Sequence, residues 1–334
     1  MTAMPNLPVP APVTPSDLPG FVPPVHPIAR PTDVPARGVL VSALSGAAGM
    51  VCVGGSVAVS GVLSDAPLLS AQAVRYAAAC LLLLLFARVG RRPVVVPRGV
   101  EWLWLLSVTA TGLCFFNIAL IAGSRHAEPA VLGVAVACVP LIFAVVGPIV
   151  EGRRPSPVVL VAALLVTCGA ALVQGVGRSD AIGLVWALVV LCSEAGFTLL
   201  AVPLLGRLGP WGVSVHTTWL AAVVFAVIGA VREGPSALAR LTGGELLAVG
   251  YLAVAVTAVA FVLWYYCVGQ LGTARAGLLT GVAPIAAAAS GVALGGPAPR
   301  LLVWAGIAVV VGGLALGLSS NGTRAAWSAG SDKG

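Results

Sequence analysis

Two charged side chains, Glu194 and Arg75, lie inside long apolar runs of the sequence. If these runs cross a bilayer, a charge near the centre of a helix costs about 2.5–3.5 kcal/mol on insertion scales. A glutamate is too short to reach either membrane surface from there, so Glu194 must be protonated, paired or turned toward a polar cavity. We interpret Glu194 as a site for a substrate amine or a proton. A structural hydrogen bond to a neighbouring helix is the alternative.

Arg75 lies about 10 Å into its run at the helical rise of 1.5 Å per residue, and a long arginine can extend its head over part of that distance. Three roles remain open for it: contact with a substrate carboxylate, an ion pair with Glu194, or an anchor at the membrane surface. Gln72 lies about one turn earlier on the same helix face and is therefore included in the candidate site.

Aromatic and imidazole side chains add further candidates. Trp186 shares a face with Glu194 because two steps of four residues separate them. His216 could titrate near neutral pH or make a fixed interhelical hydrogen bond, and Trp219 lies one turn after it. Tyr265 lies near the end of its run, where a residue of the membrane interface and a gate of the cavity are equally consistent with the pattern.

Two prolines, Pro140 and Pro284, lie in the middle of apolar runs. Proline removes a backbone hydrogen bond from a helix and kinks it. We therefore predict kinked helices at both positions. They would act as hinges or expose carbonyl groups to a cavity, with static kinks as the simpler alternative.

The elements that must position these residues are membrane-spanning helices. The chain has 334 residues, of which 59% are hydrophobic and 9% charged, whereas soluble domains carry about 25% charged residues. Apolar runs of roughly 20 residues recur and are continuous rather than alternating, which favours helices over barrel strands. We predict an all-α integral membrane protein with ten transmembrane helices. They are expected near 38–62, 68–89, 101–122, 128–150, 156–175, 181–205, 211–231, 245–269, 273–295 and 300–319.

An internal repeat relates the two halves of the chain. An offset of 144 residues brings Glu101 onto Glu245 and Pro140 onto Pro284 without a gap. Each half holds five helices, an odd number, so the second half must enter the membrane from the opposite side. Inverted repeats of this kind place a binding site near the bilayer midplane and rock between two access states. We predict two inverted five-helix repeats around a central cavity, at residues 38–175 and 181–319.

Charge and composition restrict the terminal segments and the partners. Residues 1–37 are rich in proline and poor in apolar anchors, which predicts a disordered cytoplasmic tail, and residues 320–334 form a second, short tail. Twelve of the 18 Lys and Arg residues fall on one side of the predicted membrane, which favours both termini in the cytoplasm. The net charge of +7 is spread over short loops without a long basic face, so nucleic-acid binding is excluded.

Enzymatic and metal sites find no support in the sequence. It contains no H-E-x-x-H, G-x-S-x-G or Walker A motif, and His26, His126 and His216 are scattered along the chain. The seven cysteines form no C-x-x-C pair. We therefore predict no metal, no cofactor and no enzyme activity.

The segments His126–Pro140 and Leu271–Pro284 resemble the EamA family of the drug/metabolite transporter superfamily, in which a small-residue helix reaches a mid-helix proline. Gly169 and Gly313, in the last helix of each repeat, also fit that pattern, and the resemblance covers roughly residues 38–319. It implies a basket of helices around a central cavity, with the fifth and tenth helices at the periphery. It further implies export of amino acids or related metabolites.

One departure from the family concerns the end of the ninth helix. The chain reads Leu294-Gly295-Gly296 where the family often has Leu-Gly-Glu, whereas the first repeat keeps a carboxylate at Glu151. The second repeat therefore lacks an interfacial charge that the resemblance implies.

These observations predict a secondary transporter, an exporter of small metabolites that works by alternating access and with possible proton coupling. A bacterial inner membrane is the expected location. A channel-like facilitator is the alternative, followed by a non-transport membrane protein or an enzyme on the same fold. The G-x-x-x-G spacings Gly277–Gly281 and Gly313–Gly317 indicate close helix packing within the chain first and a homodimer surface second.

Overall fold

A computed structural model describes residues 36–56, 59, 61–63, 66–296 and 298–331 of the chain. Within these residues, ten helices are long and apolar enough to cross a membrane, so the predicted fold class is confirmed. In chain order the helices are α1 (Arg37–Gly55), α2 (Leu68–Val89), α3 (Glu101–Gly123), α4 (Pro129–Val150), α5 (Pro157–Gln174), α6 (Ala181–Leu199), α7 (Val202–Arg232), α8 (Gly243–Leu271), α9 (Thr273–Ala293) and α10 (Leu301–Ser319).

The connection between α6 and α7 differs from the sequence-based expectation of a helix over 181–205. Helix α6 ends at Leu199, and α7 begins at Val202 with Pro203 in its first turn. Proline favours a helix start because its missing N–H has no partner there in any case. Gly209, with φ of 65°, interrupts α7 before Pro210. The apolar run therefore continues across a helix boundary that hydropathy alone does not mark.

The terminal segments are only partly described. The described residues begin at Ala36, so the tail predicted at 1–37 lies almost entirely outside them. At the other end, the helix of α10 continues to Ser331, which includes most of the tail predicted at 320–334.

The two repeats are interlocked. Helix α1 packs on α8 and α9 of the second repeat, and its repeat equivalent α6 packs on α3 and α4 of the first. The equivalent helices α2 and α7 pack on each other, as do α4 and α9, and α5 and α10. This exchange of partners is what a pseudo-two-fold relation between the halves requires. The helices α5 and α10 contribute no residue to the lining of the central cavity described below.

Helix geometry changes just before each of the two mid-helix prolines. Helix α4 is interrupted at Cys138, two residues before Pro140. Helix α9 narrows to a 3-10 turn over Leu279–Gly281, three residues before Pro284. The missing N–H of each proline accounts for the local loss of regular α-helical hydrogen bonding.

Small residues allow α5 and α10 to pack closely. A Cβ atom at Gly169 would lie 2.7 Å from the carbonyl oxygen of Gly306, and one at Gly306 would lie 2.7 Å from that of Gly169. A Cβ atom at Gly313 would lie 2.9 Å from Val166 Cγ2 and 3.0 Å from the Ala162 carbonyl oxygen. The Gly313 end of the G-x-x-x-G spacing is therefore covered by α5 of the same chain, in keeping with packing within the chain.

We expect Gly313→Val to destabilise the protein, whereas the neighbouring Gly312→Val does not. Overpacking of a close contact costs about 1–3 kcal/mol, and a Cβ atom at Gly312 would have no atom of a neighbouring helix within 4 Å. The measurement is the thermal unfolding midpoint of each variant in detergent. It is obtained from the fraction of protein that remains monodisperse after heating. Equal midpoints for the two variants would contradict the close α5–α10 contact.

Candidate functional site

A cavity of about 110 Å³ lies between α1, α2, α3, α6 and α8. Its lining is mostly apolar and aromatic, but it includes both charged side chains singled out in the sequence. The lining residues are Met50, Val53, Arg75, Tyr76, Gly112, Phe116, Asn117, Glu194, Phe197, Val256, Ala260, Phe261 and Trp264.

The cavity lies where the two repeats are related to each other. Ten of its lining residues form five pairs under the offset of 144 residues, so both repeats contribute the same positions to the wall. The pairs are Met50 with Glu194, Val53 with Phe197, Gly112 with Val256, Phe116 with Ala260 and Asn117 with Phe261. The backbone positions around the cavity are therefore related by the repeat, whereas the side chains at these positions differ in chemistry.

Two π-helical segments border the cavity, at equivalent positions of the two repeats. They are Thr109–Phe115 in α3 and Leu252–Val259 in α8. Such wide turns are rare and occur frequently at functional sites. Gly112, in the first segment, allows α6 to approach, because a Cβ atom there would overlap with the Phe197 side chain.

Arg75 is held by neutral groups of two helices. Its Nε donates to Thr257 Oγ1 at 2.8 Å and its Nη1 donates to Gln72 Oε1 at 3.2 Å. Its guanidinium carbon lies 5.1 Å from the centre of the Tyr76 ring, a cation–π contact. The residue is 9% exposed. No carboxylate among the described residues lies within ion-pair distance, so an ion pair with Glu194 is not formed in this state.

A polar network ties Gln72 to α3. Gln72 Nε2 donates to Asn117 Oδ1 at 2.7 Å. Asn117 Nδ2 in turn donates to Tyr76 Oη at 2.9 Å and to the Leu113 carbonyl oxygen at 2.6 Å. The amide groups are thereby fixed, and the orientation of Gln72 toward Arg75 is set by hydrogen bonds rather than by packing alone.

The Glu194 side chain lines the cavity and has no polar partner among the described residues. The structural hydrogen bond considered as an alternative is therefore not seen among these residues. A carboxylate in an apolar wall needs either a proton or an external partner, so Glu194 is available to a ligand.

Aromatic rings of α6 and α8 pack on one another at the wall of the cavity. The ring centre of Phe197 lies 4.9 Å from that of Phe261 and 5.1 Å from that of Tyr265. Tyr265 is fully buried behind the wall and donates to the Phe197 carbonyl oxygen at 3.3 Å. The wall itself includes Trp264, whose Nε1 donates to Thr198 Oγ1 at 2.9 Å.

His216, Trp219 and Trp186 lie away from the cavity. His216 Nε2 donates to the Val95 carbonyl oxygen at 3.0 Å, and its Nδ1 accepts from Trp219 Nε1 at 3.2 Å. These two bonds satisfy a neutral imidazole and join α7 to the loop before α3. Trp186 packs in a separate apolar cluster with α3 and α4.

Ion pairs and caps connect the loops at the two ends of the bundle. At the end where α9 begins, Glu151 Oε1 accepts from the backbone N–H and the hydroxyl of Thr273, both at 2.7 Å, and Glu151 pairs with Arg153. The repeat equivalent of Thr273 is Pro129, which has no N–H, and the equivalent of Glu151 is Gly295. Both halves of this contact are therefore missing at the equivalent positions of the opposite end.

At that opposite end, the loops after α3 and α5 are joined. His126 Nδ1 lies 2.9 Å from Asp180 Oδ2, and Arg178 pairs with Glu128 at 3.0 Å. The Gly183 backbone N–H, followed by His126, lowers the pKa of Asp180, and Arg178 lowers the pKa of Glu128. Both carboxylates are therefore anionic at neutral pH and belong to the loops rather than to the cavity.

Sequence reasoning missed several residues of the site. Thr257, which holds Arg75, and the cavity residues Tyr76, Phe197 and Phe261 were not among the predicted site residues. The repeat offset applied to α1 and α6 would have indicated Phe197, because Val53 and Phe197 occupy equivalent positions next to Met50 and Glu194. No sequence signal marks the π-helical turn that presents Thr257.

Fold and cavity together define the class: a multi-pass membrane protein of two five-helix repeats around one central cavity. The chain belongs to the EamA-like transporter family, whose model matches residues 40–174 and 181–319. It is 28% identical over 298 residues to the uncharacterized transporter YetK of Bacillus subtilis, covering 84% of this chain and 88% of that protein. A crystal structure of a protein with 19% identity matches with a TM-score of 0.70, covering 82% of this chain and 95% of the other, and supports the fold alone.

Proposed function

We propose that this protein is a secondary transporter that exports amino acids or related small metabolites by alternating access, with proton coupling at Glu194. One observation carries the proposal. The cavity shared by the two repeats holds an unpaired carboxylate, Glu194, together with a buried guanidinium, Arg75, that has no acidic partner among the described residues. Two uncompensated opposite charges in one apolar cavity suit a ligand that carries both complementary charges.

In this mechanism Arg75 binds an anionic group and Glu194 binds a cationic group or a proton. The guanidinium has five N–H donors, and protein acceptors are seen for two of them. The rings of Phe197, Phe261 and Trp264 would contact the apolar part of the ligand. Release of the ligand leaves Glu194 without a partner, so binding of a proton there would couple export to the proton gradient.

Alternating access follows from the interlocked repeats. Movement of one repeat against the other would open the cavity to either side, and the irregular turns before Pro140 and Pro284 provide places where α4 and α9 could bend. We place the protein in the cell membrane, with both termini in the cytoplasm, because the basic residues are concentrated on that side.

The test is a comparison of the extracellular metabolites of cells that overproduce the wild-type protein or, at the same level, the double variant Arg75→Gln/Glu194→Gln. We expect at least one zwitterionic metabolite to accumulate outside the cells only with the wild-type protein. Accumulation with a linear rather than saturable dependence on the internal concentration would favour the channel-like facilitator. An identical profile for both proteins, in cells and in loaded proteoliposomes, would contradict the proposal.

A further inference from the structure

The second repeat contributes a hydroxyl group that holds the arginine of the first. Thr257 belongs to the π-helical segment of α8, whereas Arg75 belongs to α2. Their hydrogen bond, from Arg75 Nε to Thr257 Oγ1 at 2.8 Å, is buried and joins residues 182 positions apart in the chain. It is therefore a direct contact between the two repeats at the cavity.

The direction of this hydrogen bond is determined by the second contact of Thr257. Its hydroxyl donates its single hydrogen to the carbonyl oxygen of Leu252 at 2.9 Å, five residues earlier. A hydroxyl has one hydrogen and two acceptor lone pairs, so toward Arg75 it can only accept. The Leu252 bond thus presents an acceptor to a guanidinium, which has donors only.

The π-helical turn is what places Thr257 at this position. A π turn contains one more residue than an α turn, so closing it to regular α-helix would rotate the residues on one side by about 100° relative to the other. Such a rotation would carry Thr257 away from Arg75. The matching π-helical segment of α3 contacts the same arginine indirectly. The Leu113 carbonyl oxygen accepts from Asn117, Asn117 accepts from Gln72, and Gln72 accepts from Arg75.

We propose that Thr257 is a positioning residue for anion binding at the cavity. By holding Nε of Arg75 from across the repeat boundary, it directs the guanidinium so that its remaining N–H groups are free to bind an oxyanion such as a carboxylate. The inference rests on the proposed function, since it deepens the role assigned to Arg75. Loss of the Thr257 hydroxyl would leave Arg75 with its contacts to Gln72 and Tyr76 but without a partner for Nε, so the guanidinium would be held less tightly.

The test uses the full-length protein in lipid nanodiscs with ¹⁵N-labelled arginine, whose Nε–H signals NMR can observe. Arg75→Lys assigns the Arg75 signal. We expect Thr257→Val, which keeps the shape but removes the hydroxyl, to speed solvent exchange of the Arg75 Nε–H about tenfold, whereas Thr257→Ser preserves the slow exchange. Thr218→Val is the matched control, because Thr218 is equally buried and donates to a carbonyl oxygen of its own helix, Ser214, at 2.7 Å.

Anion binding is probed with acetate, and acetamide serves as its neutral counterpart. We expect acetate, but not acetamide, to shift the Arg75 signal, with about tenfold weaker binding in Thr257→Val and recovery in Thr257→Ser. Should Thr257→Val fail to fold, Thr257→Ala removes the same hydroxyl with less bulk. The inference would be overturned if Thr257→Val showed the same Arg75 Nε–H exchange rate and the same acetate affinity as the Thr218→Val control. Absence of export by the wild-type protein would instead contradict the proposed function, so the two failures can be told apart.

Discussion

We expect Arg75→Gln to lower kcat/KM for the proposed export substrate by about 30-fold or more. Truncation of one partner of a buried charged contact costs about 2–5 kcal/mol, and each 1.4 kcal/mol is a factor of ten. Glutamine cannot supply the positive charge that a substrate anion needs in an apolar wall. The kcat/KM of Arg75→Lys should lie between that of the wild-type protein and that of Arg75→Gln, because an ammonium group cannot bind Thr257 and the ligand in the same fixed geometry.

The measurement is uptake of labelled metabolite into proteoliposomes that contain equal amounts of each variant. Arg232→Gln is the control, because Arg232 is exposed at the end of α7 and does not line the cavity. Size-exclusion profiles in detergent separate a loss of transport from a loss of folding. Wild-type kinetics in a folded Arg75→Gln protein would exclude Arg75 from substrate binding.

The second large effect concerns Glu194. We expect Glu194→Gln to lower transport by about 10- to 100-fold and to abolish its dependence on a proton gradient. A hydrogen bond to a charged group is worth about 1.5–3 kcal/mol, and glutamine keeps the size of the side chain while it loses the charge and the titratable proton. Glu194→Asp keeps both on a shorter side chain and should retain partial activity.

Proton movement can be followed with a pH-sensitive dye trapped inside proteoliposomes during addition of substrate. Glu128→Gln serves as the comparison, because Glu128 pairs with Arg178 in a loop outside the spans. A Glu194→Gln protein that inserts normally, transports at the wild-type rate and still moves protons would show that Glu194 has a packing role only.

The helices could be predicted because the bilayer sets a minimum length and an apolar composition for each of them. The expected helix over 68–89 coincides with α2 at Leu68–Val89, since the apolar run ends there in charged and proline-containing loops. The repeat offset also extends to the cavity, where Met50 and Glu194 occupy equivalent places. Charge inside an apolar run was sufficient to indicate Glu194 and Arg75, because its cost must be offset by a polar environment.

The rest of the site depends on helix rotation, which spacing does not reveal. Residues at i and i+4 share a helix face, but the sequence does not state which face meets the cavity. His216 and Trp219 share a face that packs against the Val95 loop and Trp102 instead. Thr257 depends on a π turn, and no spacing of residues in the sequence marks where such a turn occurs.

The exchange of packing partners between the repeats has a consequence for biosynthesis. Helices α1, α2, α3 and α5 find their main contacts on α8, α7, α6 and α10 respectively, and all of these partners are synthesised later. When the first repeat has been synthesised, Arg75 therefore has no Thr257 to contact, and Gly169 of α5 is not yet covered by α10. Insertion of each helix must precede assembly, and the newly made first repeat depends on the membrane, or on a chaperone within it, until the last span has been inserted.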